Sequence, residues 1–251
     1  MPIPATFHNG KKTFTVLENN PEVMNALAKK LGLSPDLAFY DVYSLTDPGL
    51  WSMIPRPVHA LLVIFPLTPS WNTSRLIEDS PLPVYKGFGR DEPVIWFKQT
   101  IGHACGSIGL LHCLINGPTK EFILPGTTLS RLRDQALPLK TEERAKVLYD
   151  DKEFEDAHQS VAEMGDTAAP SASEGERLGQ HFVAFVKGDD GHLWELEGSR
   201  KGPLDRGLLA DDEDVLSENG IAKGIGKVIR MEEEAGGGDL RFSCIALAKA
   251  Y

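Results

Sequence analysis

Gln99-Thr-Ile-Gly-His-Ala-Cys105-Gly106, running on into Ser-Ile-Gly-Leu-Leu-His-Cys-Leu-Ile115, is the stretch that decides how this chain is read. From Cys105 to Ile115 the apolar residues Ile108, Leu111, Leu114 and Ile115 recur at helical spacing, which predicts a helix opening at Cys105 and Gly106. Unpaired backbone N–H groups and the positive end of the helix dipole gather at such a start, and both favour a thiolate over a thiol. Gln99 lies just upstream and brings a side-chain amide able to donate to an oxyanion developing beside the sulfur. Cys113 and Cys244 lie inside apolar segments and read as small core residues.

The composition sets bounds on this chemistry. With 251 residues, 41% hydrophobic and 25% charged, the chain fits one globular domain over residues 1–251. The longest apolar run, Ala60-Leu-Leu-Val-Ile-Phe65, is too short to span a bilayer, and no basic-then-apolar leader precedes residue 20. Three cysteines cannot build a paired disulfide framework, so a reducing setting is expected, the cytoplasm first and the nucleus second. A net charge of −10 argues against nucleic acid and mildly favours a basic partner. No membrane, metal or cofactor is expected, and the protein is expected to be a monomer.

Outward from the cysteine, the pattern mixes helices and strands without regular βαβ alternation, which predicts an α+β fold. Thr13-Phe-Thr-Val16 alternates like an extended edge segment. Asn20-Pro21-Glu22 reads as an N-cap, a first-turn proline and an acid on the dipole of a helix that Gly32 ends. Phe39–Tyr43 and Ala60–Phe65 are expected strands, the second buried on both faces, and Pro48–Met53 a helical turn. Residues 68–93, with prolines at 69, 81, 83 and 93, are assigned to loop. Thr141 to about Ala157 is helix-prone, and Gln159 to Arg177, poor in aromatics, is expected to be mobile. Asp211 to Asp214 place four acids before an amphipathic helix carrying Ile221, Ile225, Val228 and Ile229, and Leu240–Leu247 is the last strand.

The β-hairpin of the second half supplies the partners for the thiol. His181-Phe-Val-Ala-Phe-Val186 and Leu193-Trp-Glu-Leu-Glu197 are strands joined by Gly188-Asp-Asp-Gly191. Centred on Asp189, that hairpin sets His181 opposite Glu197, within reach of an imidazole–carboxylate contact. Cys105, His181 and Glu197 then give a nucleophile, a base and an orienting carboxylate, with Gln99 for the oxyanion. Glu195 is set aside on strand parity, and His8, His59, His112, His158 and His192 are assigned to surface or packing roles.

Lys98-Gln-Thr-Ile-Gly-His-Ala-Cys-Gly-Ser-Ile-Gly-Leu-Leu-His112 resembles the signature of the ubiquitin C-terminal hydrolases, papain-like cysteine deubiquitinases. So do His181-Phe-Val-Ala-Phe-Val186 with Gly191-His-Leu-Trp-Glu-Leu-Glu-Gly198, Leu17–Val23, Phe39–Tyr43, Ser52–Pro57 and Asp239–Phe242. The resemblance implies an antiparallel sheet between helical lobes, a knotted backbone, and cleavage of ester, thioester, amide or peptide bonds after the C-terminal glycine of ubiquitin, small adducts preferred. It implies Cys105 as nucleophile, His181 as base, Gln99 as oxyanion support and residues 159–177 as a crossover loop over the site. It further implies that Glu18, Glu22, Asp41 and Asp239 hold ubiquitin's basic tail, with Nedd8 as a second candidate partner. Two departures stand out: His103 replaces the family's asparagine, and Glu197 replaces its orienting aspartate. If Glu197 failed to orient His181, the alternative would be a ubiquitin- or Nedd8-binding protein with little turnover.

Overall fold

The N-terminal segment forms a short hairpin, β1 (Thr6–His8) and β2 (Lys11–Thr13), rather than the one edge segment expected at Thr13–Val16. The computed structural model describes residues 4–8, 10–166, 179–234 and 242–251. Helix α1 (Pro21–Leu31) starts as its sequence dictates: Asn20 Oδ1 accepts from the Glu22 N–H at 2.8 Å, and Pro21 stands where no N–H is missed. It stops at Gly32, whose φ of 113° lies in the left-handed region that a side chain would resist. β3 (Leu37–Asp41), α2 (Pro48–Trp51) and β4 (Ala60–Pro66) follow close to expectation.

The first departure comes next. Residues 69–79 are not loop but helix α3 (Pro69–Asp79). The prolines that argued for loop are its punctuation: Pro69 occupies the first turn, Pro81 lies just beyond the last, and Thr68 Oγ1 accepts from the Trp71 N–H at 3.0 Å. The chain continues through α4 (Cys105–Ile115), a 3-10 helix (Gly117–Phe122) and α5 (Thr128–Ala136). The helix-prone stretch from Thr141 is two helices, α6 (Thr141–Asp150) and α7 (Lys152–Gln159), because Asp151 restarts the second by accepting from the Phe154 N–H at 2.8 Å.

After β5 (Gln180–Lys187), β6 (His192–Leu196) and β7 (Leu204–Leu208), the expected amphipathic helix is split at Gly224 into α8 (Glu218–Lys223) and α9 (Ile225–Glu234). The four acids do not serve its dipole. Ser217 is the N-cap, and Asp214 instead accepts from the Val58 N–H at 2.8 Å, the Leu216 N–H at 2.9 Å and Arg56 Nη2 at 2.6 Å. β8 (Ser243–Lys249) is the last strand and ends two residues beyond the expected Leu247, while residues 240 and 241 of the expected strand lie outside the described residues.

Strands β3-β8-β4-β5-β6-β7 form, in that order, one six-stranded sheet in which every neighbouring pair is antiparallel. Its central strands carry apolar residues on both faces, as the unbroken run at 60–65 requires. Leu62, Phe182, Ala184, Ile245 and Leu247 join one core with α1, α4, α5 and α7, whereas Leu61, Val63, Val183, Phe185 and Ala246 join another with Trp51, Trp71, Ile221 and Ile225. The sheet therefore lies between two helical layers. Among the described residues, no helix is long and apolar enough to cross a membrane.

The strand-like segment Val94–Phe97, which leads to Gln99, is fully buried and is held from below by a buried ion pair. Arg144 Nη1 and Nη2 meet Glu92 at 2.8 and 2.5 Å, Tyr85 donates to the same carboxylate at 2.7 Å, and Arg144 Nε donates to the Ala136 carbonyl at 2.8 Å. Removing one partner strands the other charge away from water. Arg144→Ala is expected to lower unfolding stability by about 3–5 kcal/mol, read from urea denaturation. A loss below about 1 kcal/mol would show that water reaches Glu92 and solvates it.

Candidate active site

Cys105 stands at the first turn of α4, half-buried, and two glycines let that helix lie close to the sheet. A Cβ on Gly109 would stand 2.8 Å from Leu62 Cδ1, and one on Gly106 3.3 Å from both Leu17 and Phe182. This close approach brings the sulfur to β5, beside the His181 ring and within the influence of the Gly106 and Phe182 N–H groups. Burial on its own would push the thiol up; the His181 contact and the two N–H groups outweigh it and hold Cys105 below the ordinary thiol range. His181 moves the other way. Burial works against its charged form, but the sulfur and the carboxylate on its two sides raise it to about 10. The arrangement favours a thiolate–imidazolium pair. Burial pushes both Cys113 and Cys244 well above the usual thiol range, so neither shares this chemistry.

Glu197 completes the chain of contacts, by a different register from the one expected. β5 and β6 pair Ala184 with Leu196 and Lys187 with Leu193, so the hairpin is centred on Asp190 and not on Asp189. Continued by one step, that register sets Glu197 opposite Val183 and diagonal to His181. Diagonal neighbours on one face are separated by roughly 7–8 Å, against about 5 Å for direct ones. The longer glutamate spans the difference: Oε1 lies 2.7 Å from His181 Nε2, which leaves Nδ1 for the sulfur. The carboxylate does not lie along the ring N–H, so the contact has the character of an ion pair more than of a linear hydrogen bond.

The parity argument against Glu195 does not hold, since residues two apart in a strand share a face. What removes Glu195 is its own pairing, with Arg200 Nη2 at 3.2 Å and with Arg206 Nε and Nη2 at 2.8 and 2.6 Å. Glu197 is itself 1% exposed and held on every side. Arg75 Nη1 donates to Oε2 at 2.8 Å, while the Ser199 N–H (3.0 Å) and hydroxyl donate to Oε1. Its backbone carbonyl accepts from the Trp96 indole at 3.2 Å. Burial disfavours the carboxylate, yet His181, Arg75 and Ser199 keep it well below the usual range. Arg75 lies on α3, the helix that sequence reasoning missed; its capping threonine and first-turn proline were the signal that could have found it.

Gln99 is fastened beside this carboxylate, its backbone N–H donating to the Gly198 carbonyl at 2.8 Å. Its Nε2 donates to the Ile101 carbonyl at 3.1 Å, which leaves one amide hydrogen for another acceptor. His103 has a φ of 55°, a left-handed conformation that asparagine and histidine both tolerate better than most residues. Two histidines assigned to packing hold the site's framework. His112 Nε2 accepts from the Phe97 N–H at 2.9 Å, and burial pushes its pKa down to about 3. His158 contacts Ser107 Oγ at 2.9 Å and the Thr15 carbonyl at 2.7 Å. The spacing of these residues in sequence hides both bonds.

Of the acids expected to bind a basic tail, Glu22 is exposed in the first turn of α1 and Glu18 is half-buried beside Gly165. Asp41 is exposed at the end of β3, to which α1 is tied by Asn25 Oδ1 accepting from the Phe39 N–H at 2.7 Å. Asp239 lies outside the described residues, as do residues 167–177 of the expected crossover loop. The loop's first residues pack onto the α1 entry, where Asn20 Nδ2 donates to Asp166 at 3.2 Å.

Comparison with known proteins gives the family. A family model described as ubiquitin carboxyl-terminal hydrolase, family 1, matches residues 14–230. Ubiquitin carboxyl-terminal hydrolase 3 of Arabidopsis thaliana is 35% identical over 246 residues, 98% of either chain. Ubiquitin carboxyl-terminal hydrolase isozyme L1 of Homo sapiens is 34% identical over 234 residues, 93% of this chain and 97% of that one. In fold, the chain is similar to the Trichinella spiralis UCH37 catalytic domain bound to ubiquitin vinyl methyl ester, with a TM-score of 0.69 over 95% of this chain and 96% of that one, at 20% identity.

The diagonal placement of Glu197 makes its length testable. Glu197→Asp is expected to fall short of His181, so that the imidazolium loses its partner and stabilises the thiolate less. The pH midpoint for alkylation of Cys105 by iodoacetamide should lie below the free-thiol value of about 8.5 in the wild type and move upward in the variant. An unchanged midpoint would mean that the shorter carboxylate still reaches the ring.

Proposed function

The chain belongs to family 1 of the ubiquitin carboxyl-terminal hydrolases and is a thiol-dependent deubiquitinating hydrolase, and we propose a division of labour among its residues. The Cys105 thiolate attacks the carbonyl of ubiquitin's C-terminal glycine. Charge on the resulting oxyanion is met by the Gln99 side-chain amide and by the N–H groups that open α4. His181, as imidazolium, gives its proton to the leaving amine, alcohol or thiol as the C–N, C–O or C–S bond breaks. The acyl-enzyme is then hydrolysed by a water that His181 deprotonates, and Glu197 stabilises the imidazolium at both stages. The observation that carries this reading is the line of contacts from a thiol at a helix N-terminus through His181 to Glu197, the last at 2.7 Å.

Glu18, Glu22 and Asp41 are proposed to receive the basic C-terminal tail of ubiquitin, and the segment from Gln159 to Arg177 to limit leaving groups to small or unfolded adducts. Nedd8 is proposed as a second substrate, the protein as a monomer, and its three unpaired thiols as suited to the cytoplasm. The rival reading, a binder with little turnover, is not favoured: the relatives carry hydrolase names and Glu197 stands at ion-pair distance from His181.

Two measurements test the roles. Ubiquitin vinyl methyl ester should modify Cys105 and leave Cys113 and Cys244 free; labelling of either of those with Cys105 unmodified would overturn the nucleophile. Gln99→Ala should lower kcat for ubiquitin-aminomethylcoumarin by roughly 10²–10³ with KM little changed, as expected for a donor to charge present only in the transition state. A raised KM at constant kcat would make Gln99 a substrate contact instead.

A further inference from the structure

We propose that Arg75 is the positioning residue for the active-site carboxylate, holding Glu197 where it can meet His181. The inference rests on the reading of Glu197 as the residue that orients His181, and it starts from how a glutamate behaves there. Glutamate has one more rotatable bond than aspartate, so more conformations must be given up for its carboxylate to stay at one point. Its contact with His181 is close but off the ring N–H direction, so that contact alone does not fix the carboxylate plane. Something else must.

Arg75 has the geometry for it. Nη1 donates to Glu197 Oε2 at 2.8 Å and to Ser199 Oγ at 2.7 Å, and the Ser199 hydroxyl in turn donates to Glu197 Oε1. Both carboxylate oxygens are therefore tied, one directly and one through Ser199. The guanidinium itself lies over the Trp71 ring, its Cζ 4.9 Å from the centroid, and Nη2 donates to Asn72 Oδ1 at 3.3 Å. Trp71 is 2% exposed and stacked on Phe65, and the start of α3 is pinned to α9 by Thr68 and Ser70 donating to Glu232. The neighbouring cations cannot substitute. Arg206 is taken by Glu78 and Glu195, and Arg200 by Asp79 and Glu195, with its Nε 3.6 Å from Glu197. Among the described residues, Arg75 is the one cation within 3 Å of the Glu197 carboxylate other than His181.

Arg75 meets Glu197, Ser199, Asn72 and Trp71 and not Cys105 or His181, so its effect passes through Glu197. The test is a double-mutant cycle on hydrolysis of ubiquitin-aminomethylcoumarin, using Arg75→Met, Arg75→Lys, Glu197→Gln and the Arg75→Met/Glu197→Gln pair, each checked by thermal melting. Methionine keeps a stem against Trp71 without the fork, and lysine keeps the charge without it. Arg75→Met should lower kcat about 10- to 100-fold with KM within about twofold of wild type, and Arg75→Lys should give an intermediate loss. In the Glu197→Gln background, Arg75→Met should cost less than about twofold, since the group it positions is gone. Equal losses in both backgrounds, or a rise in KM alone, would overturn the proposal. If Arg75→Met does not fold, Arg75→Lys decides, and wild-type kcat in that variant overturns it. Wild-type kcat in Glu197→Gln would instead refute the role of Glu197 itself, a separate failure.

Discussion

An imidazole held in the interior between a sulfur and a carboxylate, an arrangement that favours its charged form, is the constraint that the rest of the structure meets. Charge is costly away from water unless it is paired and hydrogen-bonded. Here His181 is 9% exposed and Glu197 1%, so the ion chain exists only because the fold surrounds it with compensating groups. Arg75 and Ser199 supply them on the carboxylate side, and the Gly106 and Phe182 N–H groups on the sulfur side. The site is therefore an extended network rather than three side chains.

That network explains why the two helical layers meet the sheet as they do. On one face, glycines 106 and 109 allow α4 to approach β4 and β5 closely enough for its first residue to reach His181. On the other, α3 is packed through Trp71 so that Arg75 reaches the carboxylate from below. The nucleophile comes from the first layer, the carboxylate's support from the second, and the sheet carries the histidine between them. A buried position for Glu195 on the same face is tolerated because Arg200 and Arg206 absorb its charge, which leaves Glu197 to His181 and Arg75.

A glutamate at position 197 is accommodated by backbone as well as by side chain. The hairpin turn centred on Asp190 moves the β6 partner of His181 past the end of the ladder, and the added methylene of Glu197 restores contact along the diagonal. The cost is freedom in the longer side chain and an off-axis approach to the ring, both of which the Arg75–Ser199 contacts offset.

Much of this was written in local sequence. Helix α4 and its opening cysteine follow from apolar spacing, α1 from Asn20, Pro21 and Gly32, and the doubly buried β4 from an unbroken apolar run, because each depends on neighbours a few residues away. The pairing of His181 with Glu197 was legible too, since a shift of the hairpin centre by one residue moves the partner by two and preserves the face. The tertiary structure decided the rest. Whether Glu195 or Glu197 serves His181 depends on which arginines reach them, and Arg75 meets Glu197 across 122 residues of chain. The same holds for His158 with Ser107, and for the acids at 211–214, whose Asp214 turned to Arg56 rather than to a helix. Local pattern specifies which residues form an element and which face they share, while the partner of a buried charge is set by what the packed layers bring within 3 Å of it, and that distance is a property of the whole fold.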